Sequence, residues 1–150
     1  MKTAQIGRCG ELLAQYRLLL HGVESAPMTT DSGVDLVAYS PVSGNAITIQ
    51  VKTNLKTKPG GGKGKQALDW WVPEKSPAQY VALVDLSSHQ IWLMSHAEIG
   101  ALSQQRSSGR YHLYVYVDPT AKPSKMARLA HIHQFKEFLL ENRSHEIFGV

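Results

Sequence analysis

Two short β-prone segments joined by a turn constrain this chain more than any other feature of its sequence. Residues 34–39 and 46–53 are rich in β-branched residues, and the stretch between them contains Pro41 and the turn-forming pair Gly44-Asn45. Two such segments around a short connection are typical of a β-hairpin. We therefore predict that these residues form two neighbouring antiparallel strands.

The pleat of such a hairpin divides its side chains between two faces, because successive residues of a strand point to opposite sides. If the turn is centred between Ser43 and Gly44, Asp35 lies opposite Lys52, and opposed residues point to the same side. A shift of the centre by a whole residue keeps this division, whereas a half-residue shift separates Asp35 from the others unless a bulge intervenes. The apolar face then holds Leu36, Ala38, Ile47, Ile49 and Val51, and the polar face holds Asp35, Gln50 and Lys52.

The rest of the chain is predicted to place helices and further strands around this hairpin. A first, well-buried helix over residues 6–21 has an apolar stripe formed by Ile6, Cys9, Leu13, Tyr16 and Leu20. The other predicted elements are strands at 23–26, 80–86, 90–94 and 111–117, a loop at 57–65, and helices at 66–71, 95–105 and 124–142. Together they predict a single α/β domain over residues 1–150, with a mixed sheet of about five strands flanked by helices.

Composition narrows the class of protein. An apolar share of 43% and a charged share of 19% are those of an ordinary globular chain, which excludes a disordered, collagen-like or disulfide-bonded scaffold. The single Cys9 cannot form an internal disulfide, and no apolar run approaches the about 20 residues of a membrane span. We therefore expect a protein of the cytoplasm that does not enter a membrane. A net charge of +4 mildly favours a polyanionic partner.

The polar face of the hairpin carries groups that can bind a metal ion and act on a phosphate. The Asp35 carboxylate and the Gln50 carbonyl are oxygen ligands of the kind that hard divalent cations prefer. Lys52 can orient a water molecule or offset charge that develops on a phosphate group. The alternative is a solvated sheet face with one Asp–Lys pair, which adds little stability.

The order of these residues resembles the PD-(D/E)xK nuclease superfamily. Residues 31–38 read DSGVDLVA and residues 47–53 read ITIQVKT. They are similar to the branch in which the second acid is replaced, giving Asp…Gln-x-Lys, as in predicted bacterial endonucleases and some intron-encoded homing endonucleases. The preceding helix carries Gly10-Glu11, and the first helix of the superfamily often supplies one more carboxylate. The resemblance covers residues 6–53 in motif and, more loosely, the whole order of elements.

The resemblance implies a restriction-endonuclease-like core and a metal-dependent DNA endonuclease that hydrolyses phosphodiester bonds and leaves a 5′-phosphate. It makes Asp35 the principal ligand of Mg²⁺ or Mn²⁺ and places Gln50 where the superfamily usually has Asp or Glu. The Val51 carbonyl completes the metal's shell, and Lys52 is the catalytic lysine. Glutamine at the second acid position removes one negative charge, which favours one metal ion over two.

The resemblance also implies a helper carboxylate and a homo-oligomer. Glu11 is the first candidate for the helper, and Glu24 and Asp31 are alternatives that could stand near the same cleft. In a homodimer or homotetramer, two active sites can act on the two strands of a DNA duplex. Two other functions stay open: a catalytically inactive nuclease-fold module that binds nucleic acid, and an unrelated α/β domain with a protein partner.

A basic, glycine-rich segment follows the hairpin. It does not match a phosphate-binding P-loop, because Pro59 stands where the first glycine should be and Gln66 follows the lysine. We predict instead a mobile surface loop that contacts a nucleic-acid backbone, with a merely solubilising loop as the alternative. The predicted contacts are Lys56, Lys58, Lys63 and Lys65. The adjacent Trp70 and Trp71 are expected to divide between core and surface, so at most one of them can stack on a base.

Overall fold

The computed structural model describes residues 1–30, 32–60, 64–123 and 129–150. The strands are β1 Glu24–Pro27, β2 Leu36–Tyr39, β3 Ala46–Asn54, β4 Lys58–Pro59, β5 Gln66–Pro73, β6 Tyr80–Asp85, β7 Gln90–Ser95, β8 Gln105–Ser107 and β9 Arg110–Tyr116. The helices are α1 Thr3–Leu20, α2 His96–Leu102, a 3-10 helix Ile132–Phe138, and α3 Leu140–Phe148. Within these described ranges, every helix is too short or too polar to cross a lipid bilayer.

The strands form two sheets. In the first sheet the strand order is β1-β2-β3-β6-β7, and all neighbours are antiparallel except β3 and β6, which run parallel. In the second sheet the order is β4-β5-β9-β8, and every pair is antiparallel. The predicted mixed five-stranded sheet flanked by helices is therefore confirmed. The second sheet was not predicted.

Helices α1 and α3 contribute to a hydrophobic core on one face of the first sheet. Its fully buried members include Leu18 of α1, Leu36 and Ile49 of the hairpin, and Phe148 of α3. Helix α1 was predicted correctly, although it begins three residues earlier, at Thr3. This core fixes which face of the hairpin points inward.

The predicted buried stripe of α1 is wrong at Tyr16 and Leu20, whereas Leu13 is partly buried against the core. Tyr16 and Leu20, expected in the core, are 58% and 64% exposed. The buried residues of α1 are Gly10, Ala14 and Leu18. Helix α1 lies so close to β3 that a Cβ on Gly10 would be 1.8 Å from the Thr53 side-chain oxygen. Small residues therefore face the sheet, and several large ones remain outside.

The other face of the first sheet packs against the second sheet. Val81 and Leu83 of β6 meet Trp70 of β5 and Leu113 of β9 in a second hydrophobic core. Trp70 is 4% exposed, whereas Trp71 is half-buried and points to the outer face of the second sheet. The predicted division of the two tryptophans is confirmed.

Two segments of the second sheet differ from their predicted structure. Residues 66–71, predicted as a short helix, lie in β5, because Leu68, Trp70 and Val72 alternate into the second core. Within the predicted loop 57–65, Lys58 and Pro59 form β4 and pair with β5. The loop is therefore anchored to the sheet along the part that the structure describes.

The C-terminal segment also departs from its prediction. Of the predicted helix 124–142, residues 124–128 lie outside the described residues. The 3-10 helix that follows is kinked at Phe135, and α3 begins only at Leu140. The helix predicted at 95–105 ends at Leu102.

A hydrogen-bonded ion pair ties α3 to the start of α2. The predicted capping box is present, and the Ser95 hydroxyl accepts from the Glu98 N–H. Arg143, which is 8% exposed, donates to both carboxylate oxygens of Glu98 at 2.9 Å each. Burial acts to raise the pKa of Glu98, but the hydrogen bonds from Arg143 and Ser95 outweigh it and hold that pKa below its usual value.

Candidate active site

The hairpin has the predicted division of faces, with its turn one residue closer to the N-terminus. Leu36 pairs with Ile49, and both belong to the core beneath α1. A shift by one whole residue preserves which side chains share a face. Asp35, Gln50 and Lys52 therefore lie on the face turned away from α1.

A notch beside β3, formed by Asp35 and residues 50–54, is the candidate site. Strand β3 has nine residues and β2 has four, and their pairing stops at Leu36 and Ile49. From Gln50 onward, β3 pairs with β6 on one side. On its other side no strand of the described chain pairs with it. The unequal strand lengths therefore open the sheet where the polar side chains gather.

Asp35 lies at the entrance of the notch, with one carboxylate oxygen fixed. Its backbone N–H donates to the Ile49 carbonyl at 2.9 Å, and its Oδ2 accepts from the Val51 N–H at 2.7 Å. The carboxylate thereby takes the place that a carbonyl of β2 would occupy if the ladder continued. Oδ1 has no hydrogen bond to any residue that the structure describes. It is therefore available to a ligand.

Gln50 presents an unbonded carbonyl oxygen inside the protein. The residue is 8% exposed, and its Oε1 is buried without a hydrogen-bond partner among the described residues. Its neighbour on β6 is Val81, a fully buried member of the second core. An unpaired buried polar group costs about 1–3 kcal/mol. Such a group indicates a partner that the chain itself does not supply.

Lys52 and the Val51 carbonyl complete the set of groups at the notch. Lys52 follows Gln50 by two residues, so it lies on the same face about 7 Å further along β3. It is half-buried and forms no ion pair with a described residue. The N–H and C=O of a strand residue point to the same edge. The Val51 carbonyl therefore faces the edge on which the Val51 N–H meets Asp35.

Glu11 lies beside the notch, on the opposite face of the sheet. Gly10 brings α1 into contact with Thr53, the residue after Lys52. The Glu11 carboxylate is paired with Arg8 at 3.1 Å. No hydrogen bond joins it to the notch side chains within the described chain. The helper role of Glu11 stays a prediction.

The oxygen atoms at the notch fit a hard divalent cation. Among the residues that the structure describes, no group of three or more His, Cys, Asp and Glu side chains could hold a metal ion. The notch has one carboxylate, that of Asp35, together with the Gln50 amide oxygen and the Val51 main-chain oxygen. Asp35, Gln50 and Val51 supply oxygen donors only, which Mg²⁺ and Mn²⁺ prefer. Of the alternative helpers, Glu24 is exposed at the start of β1, and Asp31 lies outside the described residues.

The four predicted nucleic-acid lysines differ in their surroundings. Lys56 and Lys65 are exposed. Lys58 is also exposed, but its ammonium lies 2.7 Å from the Asp69 carboxylate on β5. Lys63 lies outside the described residues. Lys58 is therefore part of a polar cluster on the second sheet as well as a cation near the notch.

That polar cluster was missed by the sequence analysis. His112 Nε2 donates to Asp69 Oδ2 at 2.7 Å, and Trp71 stacks on the His112 ring. Burial acts to raise the pKa of Asp69, but the interactions with Lys58 and His112 outweigh it and hold that pKa below its usual value. The alternation of apolar residues in 66–73 is the signal that could have revealed this strand and its outward-facing residues.

The fold is that of nucleases with a mixed, helix-flanked sheet. A bacterial homing endonuclease, I-Ssp6803I, matches with a TM-score of 0.64 and 15% identity, over 99% of this chain and 92% of that chain. Hjc, a Holliday junction resolvase from the archaeal hyperthermophile Archaeoglobus fulgidus, matches with a TM-score of 0.50 and 14% identity, over 71% of this chain and 81% of that chain. No family model and no curated protein matches the sequence. The predicted nuclease-like α/β fold is confirmed.

Proposed function

We propose that this protein is a divalent-metal-dependent DNA endonuclease that hydrolyses phosphodiester bonds. One observation carries the proposal: the oriented carboxylate of Asp35 and the buried, unbonded carbonyl of Gln50 lie on the same face of the hairpin, next to each other in its register. The Asp…Gln-x-Lys order and the structural likeness to a homing endonuclease and a Holliday junction resolvase support it. The net charge of +4 adds a general attraction to a polyanion.

Each group at the notch has its own role in this proposal. Asp35 Oδ1, Gln50 Oε1 and the Val51 carbonyl would hold Mg²⁺ or Mn²⁺. A divalent cation bound there supplies Lewis-acid activation of water and neutralises phosphate charge. The Lys52 amine stabilises charge on the phosphate or takes a proton from the attacking water. The Val51 N–H keeps the Asp35 carboxylate oriented before substrate arrives.

Nicking of supercoiled plasmid in Mg²⁺ or Mn²⁺ tests the proposal. We expect Asp35→Asn and Lys52→Met each to lower the nicking rate by about a hundredfold or more. Glu137→Gln and Lys136→Met are matched controls, since both residues are exposed on the 3-10 helix, and they should retain wild-type rates. Circular dichroism and thermal unfolding confirm that each variant folds.

The other outcomes of this experiment are also informative. Salt-sensitive DNA binding without nicking would support the inactive nuclease-fold module and contradict the enzyme. Nicking that survives both Asp35→Asn and Lys52→Met would place the chemistry elsewhere. Absence of both binding and nicking would favour an α/β domain with a protein partner.

We also propose that the protein works as a homodimer or homotetramer. Helix α1 exposes a line of large apolar residues, Leu12, Tyr16, Leu19 and Leu20, which helical spacing places along one side. A second copy could cover this stripe and bring two notches to two DNA strands. Light scattering during size-exclusion chromatography should show an oligomer that Tyr16→Glu dissociates. Val42→Glu, at an 83% exposed turn residue, should leave it intact.

Domain organisation and location follow from the same proposal. We propose one nuclease-like domain over residues 1–150, and the contribution of strand β6 to both hydrophobic cores supports it. The lone Cys9 suits a reducing compartment such as the cytoplasm. Limited proteolysis and cell fractionation test these two statements.

A further inference from the structure

A second concave site lies on the outer face of the second sheet, which the proposed chemistry does not use. The pocket has a volume of about 560 Å³, within the range of about 300–1,000 Å³ that is usual for ligand sites. Strands β4, β5, β8 and β9 all contribute to its walls. Its polar and aromatic lining consists of Lys58, Asp69, Trp71, Gln105, His112 and Tyr114.

Aromatic rings form one wall of this pocket. Trp71 and His112 are directly opposed on β5 and β9, and their rings are parallel within 2° with centres 3.9 Å apart. Tyr114 continues the series, with its ring centre 6.0 Å from that of His112. The exposed Arg110 guanidinium lies 5.0 Å from the Trp71 ring centre. Flat rings with a cation beside them suit a flat, aromatic ligand.

Hydrogen bonds hold this wall rigid. A carboxylate can only accept, so His112 Nε2 carries the proton that is shared with Asp69 at 2.7 Å. Asp69 is held in turn by Lys58 at 2.7 Å. Gln105 Oε1 lies 3.3 Å from His112 Nδ1, and this contact is a hydrogen bond only when Nδ1 also carries a proton. The Gln105 amide N–H groups have no protein acceptor in the described chain and can bond the polar edge of a ligand.

Strand β5 connects the pocket to the strand that carries the proposed catalytic notch. The Asn54 side chain donates to the Asp69 carbonyl at 2.7 Å, so β3 and β5 touch at this point. Asn54 is two residues beyond Lys52, about 7 Å along the strand and on the same face. Lys58 at the pocket and the exposed Lys56 and Lys65 add positive charge around it. A nucleotide chain held at Lys52 could therefore reach the pocket within a few nucleotides.

We propose that this pocket binds an unpaired nucleobase of the nucleic acid whose backbone is cut at the notch. The proposal rests on the proposed nuclease function, since only the chemistry proposed for the notch makes the ligand a polynucleotide. An unpaired base is required because the faces of paired bases are covered by their stacked neighbours. In this proposal the Trp71 face that is not stacked on His112 supplies the stacking surface, and Gln105 contacts the base edge. Lys58 and Arg110 add positive charge for the neighbouring phosphates.

Binding of labelled single strands tests this proposal without any cleavage. Fluorescence anisotropy in EDTA compares an octadeoxynucleotide with an abasic strand of the same length and charge. We expect wild-type protein to bind the base-containing strand about fivefold to a hundredfold more tightly. Trp71→Ala should abolish that difference, and Trp71→Phe should keep most of it. Tyr39→Ala, an exposed aromatic residue on the first sheet, is the matched control and should change nothing.

A second measurement locates the base and separates the two proposals. The indole N–H signals of the three tryptophans report different sites, since Trp70 and Trp92 are buried at 4% and 2% exposure. In NMR spectra only the Trp71 indole should shift on adding the octamer, and not on adding the abasic strand. Equal affinity for both strands, or no Trp71 shift, would overturn the pocket proposal even if plasmid is nicked. A Trp71 shift without any nicking would support the pocket and contradict the proposed catalysis.

Discussion

Gln50→Met should make the protein more stable and less active. Gln50 is only 8% exposed, and its side-chain carbonyl is buried without a hydrogen-bond partner in the described structure. Methionine has nearly the same length and fills an irregular apolar space easily. The substitution removes the unpaired oxygen and leaves the packing against Val81 largely unchanged.

The expected size of the effect follows from the desolvation of that oxygen. An unsatisfied buried polar group costs about 1–3 kcal/mol, and an apolar replacement of similar shape recovers it. In a chain of this length 1 kcal/mol shifts the melting temperature by about 2–4 °C. Gln50→Met should therefore melt about 2–12 °C higher than wild type in EDTA. Its nicking rate should fall, because the replacement offers no oxygen ligand.

Gln104→Met is the matched control for this experiment. The Gln104 amide donates to the carbonyls of Tyr114 and Leu129 at 2.7 and 3.1 Å, and its Oε1 accepts from the Tyr114 N–H at 2.9 Å. Because both the donor and the acceptor of the Gln104 amide have hydrogen-bond partners, Gln104→Met should lower the melting temperature. Calorimetry in EDTA measures both variants. If Gln50→Met also melts lower, Oε1 has a partner in the folded protein and the argument for a ligand at that oxygen fails.

Three further predictions concern packing, pH and metal binding. Gly10→Ala should destabilise the protein by about 1–3 kcal/mol in urea unfolding, because the new methyl would lie 1.8 Å from Thr53 Oγ1. If the double variant with Thr53→Ala regains none of this stability, the explanation is wrong. The pKa of Glu98 is lowered in the folded state, so its contribution to stability is present above its usual pKa and is lost as pH falls through the lowered value. In urea unfolding from pH 7 to 3, Glu98→Gln should therefore lose less free energy of unfolding than wild type. Equal losses would refute this prediction. Mg²⁺ at ten times its Kd should stabilise wild type by about 1.4 kcal/mol and Asp35→Asn hardly at all, and equal melting shifts would remove Asp35 from the metal site.

Local patterns predicted the elements whose partners are near in sequence. The hairpin of β2 and β3 follows from alternation and turn residues. Its turn centre was wrong by one residue, which shifts the pairing by two residues and leaves the faces unchanged. Strand β5 was mistaken for a helix, since its main partner β9 is distant in sequence and its short apolar run fits either structure. Local sequence patterns do not reveal pairing between strands that are distant in sequence.

The buried face of α1 shows a different limit of sequence reasoning. Hydrophobic periodicity favoured Tyr16 and Leu20 as core residues, yet the helix turns Gly10 and Ala14 towards β3. Close contact between a helix and a strand requires small side chains. The distance between the two elements is set by the tertiary structure and cannot be derived from the periodicity of the helix. That Asp35, Gln50 and Lys52 share a face was predictable, because it depends only on which residues of one hairpin point to the same side. The Asp69–His112 cluster was not, because it joins two strands distant in sequence.

Asp35 takes part in both the fold and the proposed chemistry, and two substitutions can separate these roles. Oδ2 accepts the Val51 N–H at 2.7 Å where the β2 ladder ends, so removing the side chain leaves that N–H without its acceptor. Asp35→Ala should therefore lower both stability and cleavage. Asp35→Asn keeps an acceptor for Val51 but loses the charge that a cation requires, so it should unfold like wild type while cleavage disappears. A stable asparagine variant that still cuts would show that the carboxylate serves the hairpin and not the reaction.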